Sequence, residues 1–163
     1  MASIGNWGYV LTSKLRVVSA RSGGDPIRLA HRVRHLGDAY YYARRPALAE
    51  SCYVEALAIY RSHERTAALD LANAVRSFAV LKHEAGAVEQ AQRLWQEAHA
   101  LYTSVNSSAG VAESGARLAL LARQQGEFAR SRECLTEATR AADASGDPET
   151  LKYVHEVAAQ LAT

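Results

Sequence analysis

Two histidines one helical turn apart, His31 and His35, come nearest to a reactive arrangement in this sequence. Imidazole nitrogens at that spacing on a helix can chelate Zn²⁺ together. The pair has no third ligand at an obvious spacing and lacks the glutamate of a metalloprotease helix, and Arg32 and Arg34 beside it disfavour a cation. We therefore predict that these residues hold no metal.

The sequence also lacks the other arrangements that support catalysis. No Ser-His-Asp set, glycine-rich phosphate loop or carboxylate pair occurs in a supporting context, and the glycines fall where helices end, link or pack tightly. We therefore predict a protein that is not an enzyme, with no catalytic residues and no cofactor.

Three consecutive tyrosines, 40–42, are followed by Arg44 and Arg45, a combination that could stack on nucleic-acid bases. On a helix, however, consecutive side chains point about 100° apart, so only Tyr41 and Tyr42 lie toward the polar side while Tyr40 faces the core. The net charge of the chain is only +2. Nucleic acid is therefore disfavoured as a partner.

The composition predicts one all-α domain. The chain has 163 residues, of which 48% are hydrophobic, and no run is rich in Val and Ile with a period of two. No stretch approaches about 18 apolar residues, so we predict no membrane partner. The start of the chain lacks a signal-peptide pattern, and Cys52 and Cys134 fit as small buried apolar residues. Together these features favour the cytoplasm.

Charge is distributed unevenly along the chain. Residues 1–65 carry a net charge of +5 and residues 66–163 a net charge of −3. This gradient could steer an acidic partner toward the N-terminal part, although a solvated surface accounts for it equally well.

A helix-start signal occurs twice. In Gly24-Asp25-Pro26 the aspartate can cap a helix whose first residue is proline, and the same triplet recurs at 146–148. The two aspartates are 122 residues apart, which is close to three periods of about 41. The helices predicted from these signals and from apolar spacing span about 26–44, 47–62, 67–84, 88–104, 108–124, 128–144 and 148–162.

Residues 1–22 are the hardest to interpret. Their candidate apolar positions are Val10, Leu11, Leu15, Val17 and Val18. The spacing of Leu11, Leu15 and Val18 is helical and favours a helix, in the place of the second helix of a preceding half-repeat. The alternative is a mobile arm that contains Trp7 and Tyr9.

Small and large residues alternate over residues 33–61 in a pattern that repeats along the chain. Its members are Leu36, Gly37, Tyr40, Ala49, Tyr53 and Ala56, followed by Ala91, Trp95 and Ala98, and then by Ser131, Leu135 and Ala138. This pattern resembles the tetratricopeptide repeat (TPR), in the longer 40–42-residue variant similar to that of kinesin light chain. The resemblance implies a right-handed α-solenoid of about three helical hairpins, at 26–65, 66–106 and 107–146, and a C-terminal capping helix at 147–163.

The resemblance also implies a function. In tetratricopeptide folds the first helix of each hairpin lines a groove that usually binds a peptide. The matching positions here are His31, Arg34, His35, Asp38, Tyr41, Tyr42, Asn73, Arg76, Ser77, His83, Glu113, Arg117 and Arg123. We therefore predict a non-catalytic protein–protein interaction module for a partner that could be acidic. The alternatives are a sensor of a small peptide or signal molecule and a structural oligomer, such as a homodimer formed through the N-terminal helix.

Overall fold

The computed structural model describes residues 4–162, which form eight α-helices and no strand. The helices are α1 (Ile4–Ser22), α2 (Pro26–Tyr42), α3 (Pro46–Ser62), α4 (Ala68–Glu84), α5 (Val88–Ser104), α6 (Ser108–Gln124), α7 (Phe128–Ser145) and α8 (Pro148–Leu161). The prediction of an all-α helical-repeat solenoid is confirmed. From α2 onward, the predicted helix ends differ from the observed ones by at most two residues.

The chain divides into two compact units. The first ends at Gly86 and contains α1 to α4, and the second begins at Ala87 and contains α5 to α8. We call them unit 1 and unit 2. The repeat predicted at 66–106 contributes α4 to unit 1 and α5 to unit 2.

The two predicted helix-start signals are both used. The side chain of Asp25 accepts a hydrogen bond from the backbone N–H of Arg28 at 3.1 Å, and Asp147 accepts one from Thr150 at 2.8 Å. Each satisfies a backbone donor that has no partner inside its helix. A proline occupies the first helical position after each cap, where its missing N–H costs nothing.

In unit 1, α2 and α3 form a closely packed hairpin, with α1 on α2 and α4 on α3. The approach of the two hairpin helices depends on Gly37. A Cβ atom at this position would lie 2.7 Å from a ring carbon of Tyr53 and 3.2 Å from Cβ of Cys52. The small and large residues of the repeat pattern therefore meet as expected.

In unit 2, α6 and α7 form the corresponding hairpin, α5 packs on α6, and α8 packs on both α6 and α7. The largest buried side chain is Trp95, which is 0% exposed. Val154 and Val157 of α8 lie in one buried cluster with alanines of α6 and α7. The apolar side of α8 is therefore the side that covers the hairpin.

The helix predicted near the N-terminus exists, and its five candidate apolar positions divide between a buried side and an exposed side. Among residues 7–22 of α1, the buried ones are Val10, Ser13, Val17 and Ala20. Leu11, Leu15 and Val18 are instead 61–63% exposed. The segment holding Trp7 and Tyr9, considered above as an arm, belongs to the same helix.

Both cysteines are free thiols, Cys52 buried and Cys134 half-buried. Burial raises the pKa of the Cys52 thiol to about 11. Across residues 4–162, no helix combines the length and the apolar content needed to cross a membrane.

Candidate functional site

The polar side of α2 carries a network centred on Asp38. Its carboxylate lies 3.3 Å from the guanidinium of Arg34 and 3.4 Å from Nδ1 of His35, and it accepts a hydrogen bond from the Tyr53 hydroxyl at 2.9 Å. The side chains of Arg34 and Asp38 are only 15% and 21% exposed. The network therefore ties α2 to α3.

The electrostatics of Asp38 follow from this network. Burial alone raises the pKa of the Asp38 carboxyl, but hydrogen bonds from His35 and Tyr53 and the charge of Arg34 outweigh burial and hold the pKa below its usual range. Burial and the neighbouring carboxylate raise the pKa of Tyr53. Arg34 and Asp38, both predicted as groove residues, thus have partners within unit 1.

The other predicted histidine contacts a different helix. Nε2 of His31 lies 3.4 Å from the Asp70 carboxylate of α4, and its ring meets the edge of Tyr60 at 5.6 Å between centroids. His31 and His35 therefore face different partners. Among the described residues, no group of three or more His, Cys, Asp or Glu is placed to hold a metal ion.

A cavity of about 350 Å³ lies where α2, α3 and α4 of unit 1 come together. We call it the Tyr41 cavity, and its lining residues are Tyr41, Arg44, Pro46, Leu81, Glu84 and Ala85. The Tyr41 hydroxyl donates a hydrogen bond to the Glu84 carboxylate. Burial and this hydrogen bond raise the pKa of Tyr41 to about 12, so the hydroxyl stays protonated.

Arg44, in the wall of the Tyr41 cavity, has a left-handed backbone with φ of 57°. The corresponding turns between α4 and α5 and between α6 and α7 place Gly86 and Gly126 in the same conformation, with φ of 73° and 77°. A residue with a Cβ atom is strained there, whereas glycine is not. Arginine at position 44 therefore makes the fold less stable than glycine would at the same position.

In unit 2, the guanidinium of Arg117 lies between two aromatic rings. It is 5.8 Å from the centroid of Trp95 on α5 and 5.1 Å from that of Tyr153 on α8. Beside it is a cleft of about 210 Å³, which we call the Arg117 cleft. Its lining residues are Glu113, Arg117, Glu149, Thr150 and Tyr153.

Polar atoms around the Arg117 cleft are buried without a hydrogen-bond partner among the described residues. They are Nε of Arg117 and the hydroxyl of Tyr153 in the lining, and Nε1 of Trp95, which is fully buried and not part of the lining. Burial raises the pKa of the Tyr153 hydroxyl to about 12 although Arg117 opposes the shift, so the group remains a donor. Unpaired buried donors are costly and call for an explanation.

The remaining predicted residues have varied surroundings. Ser77 is buried, Tyr42 is exposed with its ring against Tyr41, and exposed Arg123 lies over the ring of Phe128 at 4.9 Å. Three more, Asn73, Arg76 and His83, are half-buried on α4 and engaged in interactions. Within each unit, then, the structure brings some predicted residues together and separates others.

No protein-family model and no curated protein sequence matches the chain. Solved structures do match. BtubC (BKLC) from P. vanneervenii has a TM-score of 0.71 at 20% identity, over 98% of this chain and 74% of that one. Aspartyl phosphate phosphatase F from Bacillus subtilis has a TM-score of 0.68 at 17% identity, over 84% of this chain and 37% of that one. The apo form of RapI has a TM-score of 0.72 at 17% identity, over 94% of this chain and 64% of that one.

These neighbours are helical-repeat proteins of the tetratricopeptide type. This chain has a tetratricopeptide-type fold. It spans less than two thirds of the length of the phosphatase and of RapI. At sequence identities this low, the similarity shows a shared fold and does not extend to function.

Several residues of the two sites lie outside the positions that tetratricopeptide resemblance assigns to a groove. In the Arg117 cleft these are Glu149, Thr150 and Tyr153 of α8, and in the Tyr41 cavity they include Arg44 and Leu81. The helical spacing of α8 predicts an apolar side, but nothing local pairs Tyr153 with Arg117. The left-handed turn at Arg44 does have a sequence signal, because the two equivalent turns contain glycine.

Proposed function

We propose that this chain is a non-catalytic protein-interaction module that binds a peptide segment of a partner, with the Arg117 cleft as its anchor. The observation that carries the proposal is the pair of buried donors without a hydrogen-bond partner in the lining of the cleft, Nε of Arg117 and the hydroxyl of Tyr153. A tetratricopeptide-type fold, which commonly serves as a binding scaffold, supports it.

The chemistry of the cleft suits a peptide bond. Arg117 and the Tyr153 hydroxyl can donate hydrogen bonds to a carbonyl oxygen, while Glu113 and Glu149 can accept one from an amide N–H. Because the two carboxylates oppose the single guanidinium, the cleft fits a neutral amide better than a carboxylate. An acidic stretch of the partner would instead be attracted by unit 1, in which Lys and Arg exceed Asp and Glu by five.

Replacing Tyr153 with phenylalanine tests the anchor with the smallest change. The ring and its contact with Arg117 remain, and only the unpaired hydroxyl is lost. We expect peptides selected on the intact chain from a displayed random library to bind about fivefold to tenfold more weakly, because one hydrogen bond is lost. The free energy of unfolding should stay the same or rise by about 1 kcal/mol, since a buried donor without a partner is removed.

A pair of conservative arginine variants provides the matched control. Arg117→Lys keeps the charge but loses the planar fork, so it should weaken the same peptides more than about tenfold. Arg132→Lys makes the same change at an exposed arginine of α7, outside the predicted groove positions, and should bind them as the wild type does. Failure to select any peptide, or equal binding by the Arg117→Lys and Arg132→Lys variants, would contradict the proposal.

The Tyr41 cavity supports a second candidate function, a sensor of a small molecule. The specific observation is the strained backbone of Arg44 in the cavity wall, since strain that persists in a fold is often found at binding sites. A cavity of about 350 Å³ is within the size range of small-ligand sites.

The variant Arg44→Gly removes both the backbone strain and the arginine side chain, and its effects on stability and on ligand binding can be measured separately. We expect it to raise the free energy of unfolding by about 0.5–1 kcal/mol, because glycine adopts the left-handed conformation without cost. Thermal-shift screening with carboxylated and phosphorylated metabolites should then find compounds that raise the melting temperature of the wild type but not of the variant. Equal shifts for both proteins would place the ligand elsewhere, and no shift would remove this candidate.

A further inference from the structure

Four large apolar side chains lie along the side of α1 that is turned away from its buried residues. We call this set the outer stripe, and it consists of Trp7, Leu11, Leu15 and Val18. At about 100° per residue its centre is about 140° from the centre of the buried face. Trp7 is 44% exposed, with the guanidinium of Arg45 over its ring at 5.5 Å, and the three aliphatic residues are 61–63% exposed.

The outer stripe is specific to α1. Forty positions later, α3 has Ser51, Glu55 and Ala58 where α1 has Leu11, Leu15 and Val18. The corresponding residues are Arg93, Glu97 and Ala100 on α5, and Glu133, Glu137 and Arg140 on α7. The same helical position is therefore polar or small in the three later helices, so the repeat does not impose an apolar stripe.

The charges on either side of the outer stripe have one sign. Lys14 and Arg21 flank one edge, Arg16 lies about 100° beyond the other edge, and residues 1–24 contain no Asp or Glu. Lys14 lies over the ring of Tyr40 at 5.7 Å, and Arg21 pairs with Glu55 at 2.9 Å. These contacts fix two cations beside the stripe.

A basic cleft of about 370 Å³ adjoins the outer stripe at the C-terminal half of α1. We call it the arginine cleft, and its lining residues are Arg16, Ser19, Ala20, Ser22, Gly23, Arg28 and Arg32. The guanidinium of Arg28 is held by a hydrogen bond to the Gly23 carbonyl at 3.4 Å. Three guanidinium groups and two hydroxyls, with no carboxylate in the lining, match the chemistry of a phosphate group.

We propose that the outer stripe and the arginine cleft together dock the chain on the surface of a bilayer that contains anionic phospholipid. The stripe enters the boundary between headgroups and acyl chains, and the cleft takes a headgroup phosphate. Apolar residues that include tryptophan, flanked by Lys and Arg, are characteristic of helices that lie in this interface. Such docking needs no membrane-spanning helix, so it does not require a stretch of about 18 apolar residues.

A second copy of the chain fits this surface less well. If two α1 helices paired through their stripes, α1 would contribute only cations beside the contact, and the carboxylate of Glu55 on α3 pairs with Arg21. Four side chains that are 44–63% exposed make a smaller surface than the area of about 800 Å² that each partner buries in a stable complex. Charge and area therefore both favour an anionic lipid surface over self-association.

Sedimentation of the intact chain with vesicles tests the proposal. We expect binding to vesicles of phosphatidylcholine with about a third phosphatidylserine, and binding at least about tenfold weaker to phosphatidylcholine alone. The double variant Leu11→Ser/Leu15→Ser should lose binding at least about tenfold, because two apolar side chains leave the interface. The double variant Arg16→Glu/Arg32→Glu should lose the preference for phosphatidylserine.

Both altered leucines are exposed, so the serine variant should keep the helical circular dichroism and melting temperature of the wild type. Val54→Ser, a change at an exposed apolar residue of α3, is the matched control and should leave vesicle binding unchanged. Several results would overturn the proposal: equal binding to both kinds of vesicle, no binding to either, or binding of free glycerophosphoserine without vesicle binding. Concentration-dependent mass or capture of an acidic peptide that depends on Leu11 and Leu15, without vesicle binding, would overturn it as well.

Discussion

Replacing Trp95 with alanine is expected to lower the free energy of unfolding of unit 2 by about 3–5 kcal/mol. The indole is 0% exposed, and Ala91 and Ala98 on the same face of α5 are too small to fill the space it leaves. The guanidinium of Arg117 also loses one of its two aromatic neighbours. Because domains are stable by only about 5–15 kcal/mol, this single change should remove a large part of the stability of the unit.

Urea unfolding followed by far-ultraviolet circular dichroism measures this effect as a shift of the midpoint. Phe128→Ala is the matched control, since it also removes a large aromatic side chain in unit 2 but from a position that is 51% exposed. We expect the control to cost less than about 1 kcal/mol. Similar losses for both variants would contradict the placement of Trp95 in the core.

The helices could be predicted because their signals are local. Asp25 and Asp147 each cap a helix within three residues of their own position, and a proline follows each of them. The close approach at Gly37 was also foreseeable, because the repeat pattern pairs one small residue with one large residue of the facing helix. Neither feature depends on distant parts of the chain.

The orientation of α1 could not be predicted from periodicity. The helix has two apolar sides, one with Val10 and Val17 and the other with Leu11, Leu15 and Val18, and both have helical spacing. The side packed on α2 has the narrower residues, including Ser13 and Ala20, which allow a close approach between helices. Choosing between the sides requires knowing the surface of the partner helix.

The candidate sites show the same division between local and distant signals. Arg34 and Asp38 are four residues apart, so their ion pair on α2 was available from the sequence and predicts that both are engaged. The contact between Arg117 and Tyr153 joins α6 to α8, and no spacing rule connects them. The fold as a whole was therefore more predictable than the chemistry of its clefts.

Replacing Asp38 with alanine is expected to lower the free energy of unfolding of unit 1 by about 2–4 kcal/mol at neutral pH. The guanidinium of Arg34 would lose its counterion while only 15% exposed, and the Tyr53 hydroxyl would lose its acceptor. Removing one partner of a fully buried ion pair costs about 3–5 kcal/mol, and the residual exposure of this pair reduces that figure. Asp143→Ala, at an exposed aspartate of α7, should change the stability by less than about 0.5 kcal/mol.

The pH dependence of this difference identifies its cause. Because the folded pKa of Asp38 lies below its usual value, the carboxylate stabilises the fold above the unfolded pKa of about 3.9, and the contribution is lost as the pH falls through the folded pKa. The gap between wild type and Asp38→Ala in urea midpoint should therefore be full near pH 6 and shrink below about pH 4. A gap that stayed constant down to acid unfolding would mean that packing of the Asp38 side chain, rather than its charge, holds α2 to α3.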